Sequence, residues 1–345
     1  MQSKKKKLGV GLRGTGQVAV QHVAAFSRNE HTYIAAVCGR DYERAKQFAA
    51  RYAPDAVVYR HYEEMLLSSE VDIVSECMPN YLHAPEGIAA LQAGKHLLLE
   101  KPAGITPEEV DALYRTAVKS DRTTIVSFLT RWIPLTAALK NLIDTGAIGD
   151  IYYAQTDYWH GIKPTFASYP WIRKQEFAGG AMITGGCHAA DAARYLNGEI
   201  TEVFAYACRA REDFNYDTTF AASAKFANGS VGRISASLDG LAFPYQFNID
   251  LLGTKGAVRN NRIYSDKLFA KQTDWVCLPM VEPNTGSVDH HPFHEEIDEF
   301  VSGIRSGTPI RSTVTDACKS MDVALAITES ARTGKPVAVR PRDEV

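Results

Sequence analysis

The 345-residue sequence has little that would commit it to a membrane, a nucleic acid or a disulfide framework. Its six cysteines, Cys38, Cys77, Cys187, Cys208, Cys277 and Cys318, are scattered and form no C-x-x-C pair. That excludes a zinc knuckle and a dithiol redox motif, and it suits a reducing cytoplasm. No window approaches the roughly 18 apolar residues of a membrane span. Lys+Arg 38 against Asp+Glu 40 leaves a formal charge of −2, so no general attraction for nucleic acid or an anionic surface is expected. The one dense basic run, Lys4 to Lys7, is followed by Leu8-Gly9-Val10-Gly11-Leu12-Arg13, too short and too broken by arginine for a secretory leader. A solvated tail before the first strand is the expectation. Low-complexity tracts and internal repeats are absent as well.

What is present is an ordinary globular mixture, 45% hydrophobic and 23% charged, long enough for about two domains. The first third alternates two periodicities. Leu8–Arg13, Tyr33–Cys38, Val57–Tyr59, Val71–Met78 and Lys95–Glu100 read as strands. Between them, Gln17–Ser27 reads as a helix, and Asp41 caps a second whose Ala45, Phe48, Ala49 and Tyr52 share a face. A third is expected to open at Pro85 and stop at Gly94, and Thr106-Pro107-Glu108-Glu109 is a capping box opening a fourth. Strand–helix alternation of this kind predicts a parallel, doubly wound sheet. Beyond about residue 150 the runs lengthen (Ile151–Tyr158, Glu202–Ala210, Phe220–Phe226, Ser230–Leu238, Phe247–Leu252) and glycine turns such as Asn228-Gly229 separate them. An antiparallel or mixed sheet in a second domain is expected there, with two helices closing the chain.

Two overlapping glycine motifs compete near the amino terminus. Gly9, Gly11 and Gly14 match literally, but no strand precedes Gly9 to feed the loop. Gly14, Gly16 and Ala19 follow a strand and open a helix: Gly14 for a tight turn, Gly16 for close approach of a pyrophosphate, Ala19 for helix–strand packing. The amino end of the helix, from Gly16 through Gln17 and Val18, then offers N–H groups to phosphate. At the end of the second strand, where an acid would hold the ribose of NAD, the chain has Gly39 and then Arg40. An arginine suits a 2′-phosphate, so NADP is preferred over NAD, with Asp41 the competing acid.

Gly14-Thr15-Gly16 with His22, Met78-Pro79-Asn80-Tyr81-Leu82-His83, and Ala93-Gly94-Lys95-His96 running into Glu100-Lys101-Pro102 together resemble the glucose-fructose oxidoreductase / inositol dehydrogenase / rhizopine catabolism family. Asp144-Thr145-Gly146-Ala147-Ile148-Gly149 and Gly179-Gly180 through Asp191 extend the resemblance over nearly the whole chain. It implies an α/β protein: an amino-terminal Rossmann doubly wound parallel sheet over residues 1–128, then a substrate-binding and oligomerisation α/β domain with a large, mostly antiparallel sheet over 129–345. It implies that Thr15, Pro79, Asn80, His83 and Glu100 border the bound nucleotide and that Lys101 sits near the nicotinamide. Desolvation disfavours a charged ammonium, which suits a lysine between an apolar strand and a proline to acid/base work. His188 is carried over as the catalytic histidine. Relatives often have an aspartate four residues before it; here Thr184 stands there, a hydroxyl that can bond a substrate but holds no charge. Asp191 either orients His188 or finishes a helix turn.

Tyr152, Tyr153, Tyr158, Trp159, Phe166, Tyr169 and Trp171, interleaved with His160, Lys163 and Arg173, suit a sugar or cyclitol, whose C–H face stacks while its hydroxyls bond. Trp159, Trp171 and Arg173 are the substrate contacts expected from this stretch. Asp289-His290-His291 with His294 is a second polar cluster, from which His291 is expected to face the pocket; no metal site is expected, since spacing alone gives no converging geometry. The expected activity is an NAD(P)-dependent oxidoreductase moving hydride between nicotinamide and a secondary alcohol or ketone of a sugar, sugar derivative or cyclitol, with Lys101 and His188 as acid/base groups. Two alternatives stay open: a redox-neutral enzyme that retains its nucleotide and transiently oxidises a glycoside, and a nucleotide-binding regulatory protein. The expected partner is a small carbohydrate or polyol, with no nucleic acid or membrane, in a homodimer or homotetramer as is usual in the family.

Overall fold

A computed structural model describes residues 7–240, 244–282 and 291–342. The basic run up to Lys6, and Asp289 and His290 of the polar cluster, lie outside them. The chain packs as two compact units. The first takes residues up to Leu129 together with Ser287–Cys318; the second takes Thr130–Gly286 and Lys319–Glu344. The described residues 291–318 therefore pack with the first unit. The physical reason is the apolar face of the helix Phe293–Ser306, whose Phe293, Ile297 and Phe300 are buried and which packs on the helix Gln17–Arg28.

In the first unit the strands β1 (Leu8–Arg13), β2 (Thr32–Cys38), β3 (Val57–Tyr59), β4 (Ile73–Glu76), β5 (His96–Leu99) and β6 (Thr124–Val126) form one sheet in the order β3-β2-β1-β4-β5-β6. Every pairing is parallel. Helices α1 (Gln17–Arg28), α2 (Tyr42–Tyr52), α3 (Tyr62–Leu67), α4 (Asn80–Gln92) and α5 (Pro107–Lys119) connect consecutive strands. Near-continuous apolar segments such as Leu97–Leu99, wholly buried, are what a parallel strand covered on both faces requires. Asp41 caps α2 through the Arg44 N–H at 2.9 Å, and Thr106 caps α5 through that of Glu109 at 3.2 Å. One start differs from expectation: α4 begins at Asn80 with Pro79 as its cap, so Pro85 lies inside the helix instead of opening it. The proline removes one backbone donor, a loss that a helix packed on the sheet tolerates.

In the second unit, α6 (Pro134–Asp144) precedes β7 (Ile151–Trp159), two single-turn helices α7 (Tyr169–Ile172) and α8 (Gln175–Ala178), a π-turn at Met182–Gly186, and α9 (Cys187–Asn197). The remaining strands are β8 (Ile200–Cys208), β9 (Thr219–Phe226), β10 (Val231–Ser237), β11 (Gln246–Gly253), β12 (Gly256–Arg259), β13 (Arg262–Ser265), β14 (Val276–Cys277) and β15 (Val337–Ala338). With β7 they make a nine-stranded sheet in the order β14-β13-β12-β11-β7-β10-β9-β8-β15. Among the described residues only β7 and β10 of this sheet pair in parallel. One face carries α9, where Thr156 of β7 donates to the Ala189 carbonyl at 2.8 Å. Among the described residues no helix is long and apolar enough to cross a membrane.

Candidate nucleotide and catalytic sites

The glycine loop sits where the first sheet reverses direction. β1 has β2 on one side and β4 on the other, and the chain leaves its carboxyl end at this switch point, the place where open α/β sheets bind ligands. Gly14 has φ 114°, and a Cβ there would meet the Cys77 carbonyl oxygen at 2.7 Å. Only glycine fits that turn. Gly16 caps α1 with no side-chain bond to the first turn, and a Cβ on it would meet nothing within 4 Å. The open first turn at Gln17 and Val18 is thus free to receive an anion. Ala19 is fully buried, as close helix–sheet contact demands. Thr15 packs against Gly39, whose Cβ would come within 3.1 Å of its methyl. Arg40 is exposed at the end of β2 and donates to the Tyr81 hydroxyl at 3.1 Å.

The ends of β4 and β5 gather the next residues. Asn80 and His83 are buried on the first turn of α4, and the Lys101–Pro102 peptide, which is cis, follows β5. His83 places one ring nitrogen 2.7 Å from the Pro102 carbonyl and the other 2.7 Å from that of Met78. Glu100 accepts from His22 Nε2 at 3.2 Å, while His22 Nδ1 lies 2.8 Å from the Ser75 hydroxyl. Burial by itself would push the Glu100 carboxyl up, but His22, Lys101 and His83 together hold it below the usual carboxylate range. Lys101 is half-buried directly after this anchored acid. His22 and Glu76 are site-supporting residues that sequence reasoning did not assign. The legible signal was a lone acid ending the short strand Ile73-Val74-Ser75-Glu76.

In the second unit the glycine pair decides where His188 goes. A Cβ on Gly186 would lie 2.8 Å from that of Ala236, and one on Gly185 would lie 3.0 Å from the Tyr158 ring. Their absence lets the π-turn press onto β7 and β10. Thr184 and His188 are both buried there, and the three residues between them cross from the π-turn into α9, so the register is not that of a regular α-helix. The His188 ring stacks on Tyr158 with centroids 5.1 Å apart. Tyr158 contacts the His160 Nδ1 through its hydroxyl at 3.2 Å and meets Tyr245 edge-on at 5.5 Å. Burial pushes the Tyr158 and Tyr245 hydroxyls well above their ordinary range, so both remain neutral donors.

Strand alternation sends Trp159 to the other side of the sheet. Its indole N–H donates to Ser235 at 3.0 Å, beside Asp157 and Arg233. Tyr158, one residue earlier, is the aromatic that reaches His188. Trp171 lies in α7, and the Arg173 guanidinium covers the Tyr169 ring at 5.7 Å. Asp191 is committed elsewhere: its two oxygens accept from Arg131 at 2.9 and 2.6 Å, and the Ser320 hydroxyl adds a bond at 2.6 Å. It fastens α9. His291, in the first unit, approaches Phe293 at 6.0 Å between centroids. Among the described residues no three His, Cys, Asp or Glu side chains converge as a metal site.

Residues 8–128 match the model of the oxidoreductase family with an NAD-binding Rossmann fold, and residues 136–259 that of the GFO/IDH/MocA C-terminal domain. The chain is 28% identical over 332 residues to D-xylose 1-dehydrogenase (NADP(+)) 2 of Haloferax volcanii, covering 95% of this chain and 98% of that one. It is 27% identical over 298 residues to levoglucosan dehydrogenase of Pseudarthrobacter phenanthrenivorans, 76% of each. In fold it superposes on a levoglucosan dehydrogenase in complex with NADH at a TM-score of 0.87, with 23% identity over 97% of this chain and 100% of that one. A parallel nucleotide-binding sheet with its glycine loop at the switch point, a nine-stranded sheet behind a buried histidine, and matches to both family models make this chain a member of the GFO/IDH/MocA family of NAD-binding oxidoreductases.

Proposed function

We propose that the protein is an NAD(P)-dependent dehydrogenase or reductase that acts on a secondary alcohol or ketone of a sugar, sugar derivative or cyclitol, with Lys101 and His188 as its acid/base groups. The observation that carries this reading is the His188 corner. A buried imidazole stacked on Tyr158, with His160 and Tyr245 around the same ring and Thr184 buried four residues before it in the chain, offers both a flat apolar surface and hydroxyl-bonding groups. A pyranose or cyclitol presents the complementary pair, a C–H face and a rim of hydroxyls. The named activities of the relatives, on D-xylose and levoglucosan, are of this class.

The nucleotide fits the residues present: Gly14 makes a turn no other residue can make, and the space over Gly16 is clear. Bound there, a nicotinamide supplies the hydride acceptor. The chain's own task is to orient the carbinol and take its hydroxyl proton, the work assigned to Lys101 and His188. Arg40, exposed at the end of β2 and steadied by Tyr81, supports NADP as the preferred nucleotide. The sheet face opposite α9, where Tyr206, Val231 and Leu252 stand exposed, supports a homo-oligomer, checked by light scattering.

The test is a screen of aldoses, anhydrosugars and cyclitols with NAD and NADP, run beside Lys101→Ala and His188→Ala. Each replacement is expected to cut turnover by about a hundredfold or more while sparing nucleotide binding. Undiminished turnover in Lys101→Ala would overturn its role. Nucleotide that copurifies and never accumulates in reduced form would move the assignment to the redox-neutral chemistry.

A further inference from the structure

Two buried titratable groups in the first unit, Glu76 and His83, take no part in the chemistry above. The two short contacts of His83, to Pro102 and Met78, are both to carbonyl oxygens. A neutral imidazole has one N–H. In that form one contact sets a ring lone pair against a carbonyl lone pair at 2.7 Å, on a side chain only 2% exposed. Glu76, fully buried, lies beside it: Oε2 is 3.5 Å from His83 Nε2, and Oε1 accepts from the Met78 N–H at 2.9 Å. Oε2 has no hydrogen bond of its own.

Burial presses both groups toward neutrality, pulling the imidazole below its ordinary range and pushing the carboxyl well above its own. The neutral pair and the ion pair contain the same protons and differ by one transfer, from Glu76 Oε2 to His83 Nε2. Only the ion pair gives each carbonyl a donor. The other groups facing the pair are engaged elsewhere or are uncharged: Arg13 is paired with Glu86 at 2.7 Å, Glu100 accepts from His22, and burial keeps Cys77 a thiol. Lys101 faces His83 as a like charge, which Glu100 opposes. We propose that His83 is an imidazolium paired with the Glu76 carboxylate, and that it acts as a positioning residue clamping the Lys101–Pro102 turn to the end of β4. Its functional half rests on the assignment of Lys101 given above.

Nitrogen-15 NMR of the labelled full-length protein, with His83→Gln to assign the signals, tests the charge directly. Both ring nitrogens of His83 should stay protonated from about pH 6 to 9, where an unperturbed histidine loses its charge. Infrared difference between wild type and Glu76→Gln should show no protonated-carboxyl band. One unprotonated nitrogen, or a carboxylic-acid band from Glu76, overturns the ion pair whether or not a substrate is known. In folded Glu76→Gln, turnover should fall about tenfold to a hundredfold with nucleotide KM unchanged, and the pH–rate profile should move. An unmoved profile and rate refute the positioning role. If that variant does not fold, the wild-type nitrogen spectrum decides.

Discussion

Replacing Asp191 by asparagine isolates what holds the His188 helix in place. The Asp191 carboxylate is 0% exposed and receives both arms of the Arg131 guanidinium, itself 3% exposed, together with the Ser320 hydroxyl, which in turn accepts from Arg194 at 2.7 Å. Asparagine keeps the shape and removes the charge, and its NH2 group faces a donor. The Arg131 cation then loses its buried counter-charge, while the Tyr195 ring stays 4.9 Å from its guanidinium carbon. Breaking such a buried pair from one side costs about 3–5 kcal/mol. For a unit of this size each kcal/mol moves the melting temperature by about 2–4 °C, so Asp191→Asn should melt about 6–20 °C below wild type in a circular-dichroism scan. The double replacement Arg131→Met with Asp191→Leu should recover most of that loss, because no charge is left uncompensated. At temperatures where the single variant is folded, its pH–rate profile should match wild type, since the carboxylate serves Arg131. A melting point within about 3 °C of wild type, or a displaced pH profile, would refute the account.

Three further outcomes follow from named contacts. Arg40→Ala should weaken NADP binding while leaving NAD nearly untouched, lowering the affinity ratio by about tenfold or more for the loss of a charge-assisted phosphate contact; isothermal titration with both nucleotides checks it. Tyr158→Leu should raise the sugar KM more than it lowers kcat, because it removes the ring under His188 but no acid/base group; steady-state kinetics separate the two. Glu296 is fully buried, and burial with Glu100 nearby pushes its carboxyl well above the usual range. A raised acid favours the fold below its unfolded value near 4.5 and loses that advantage as pH climbs toward its folded value. Glu296→Gln should therefore gain stability relative to wild type as pH rises from about 4.5 to 8, in parallel melting curves. A constant difference across that range would count against the shift.

Local signals carried much of the fold because they are local in cause. Helix caps at Asp41 and Thr106, the glycine turn at Gly14 and the strand–helix alternation depend on residues within a few positions of one another, and each is found where the sequence places it. Pro85 misled because the packing of α4 on the sheet outweighs the penalty of one missing donor, which no short window reveals. Which of the adjacent aromatics stacks on His188, Tyr158 or Trp159, is likewise not readable along the chain. Whether a strand residue faces α9 or the opposite side depends on register with β10 and β11, and a shift of one residue exchanges Trp159 for Tyr158.

By itself, the sequence determined the two-sheet architecture and the glycine turn between β1 and α1, and it named Lys101 and His188 as candidates. Tertiary structure decided which side chains support them: His22 and His83 around the Lys101 turn, Tyr158 and Tyr245 around His188, Arg131 and Ser320 beneath Asp191. It also packed residues 291–318 with the first unit. These partners lie from 19 to 129 residues apart, so their pairing follows from burial and hydrogen-bond satisfaction in the folded core, to which a reading along the chain has no access.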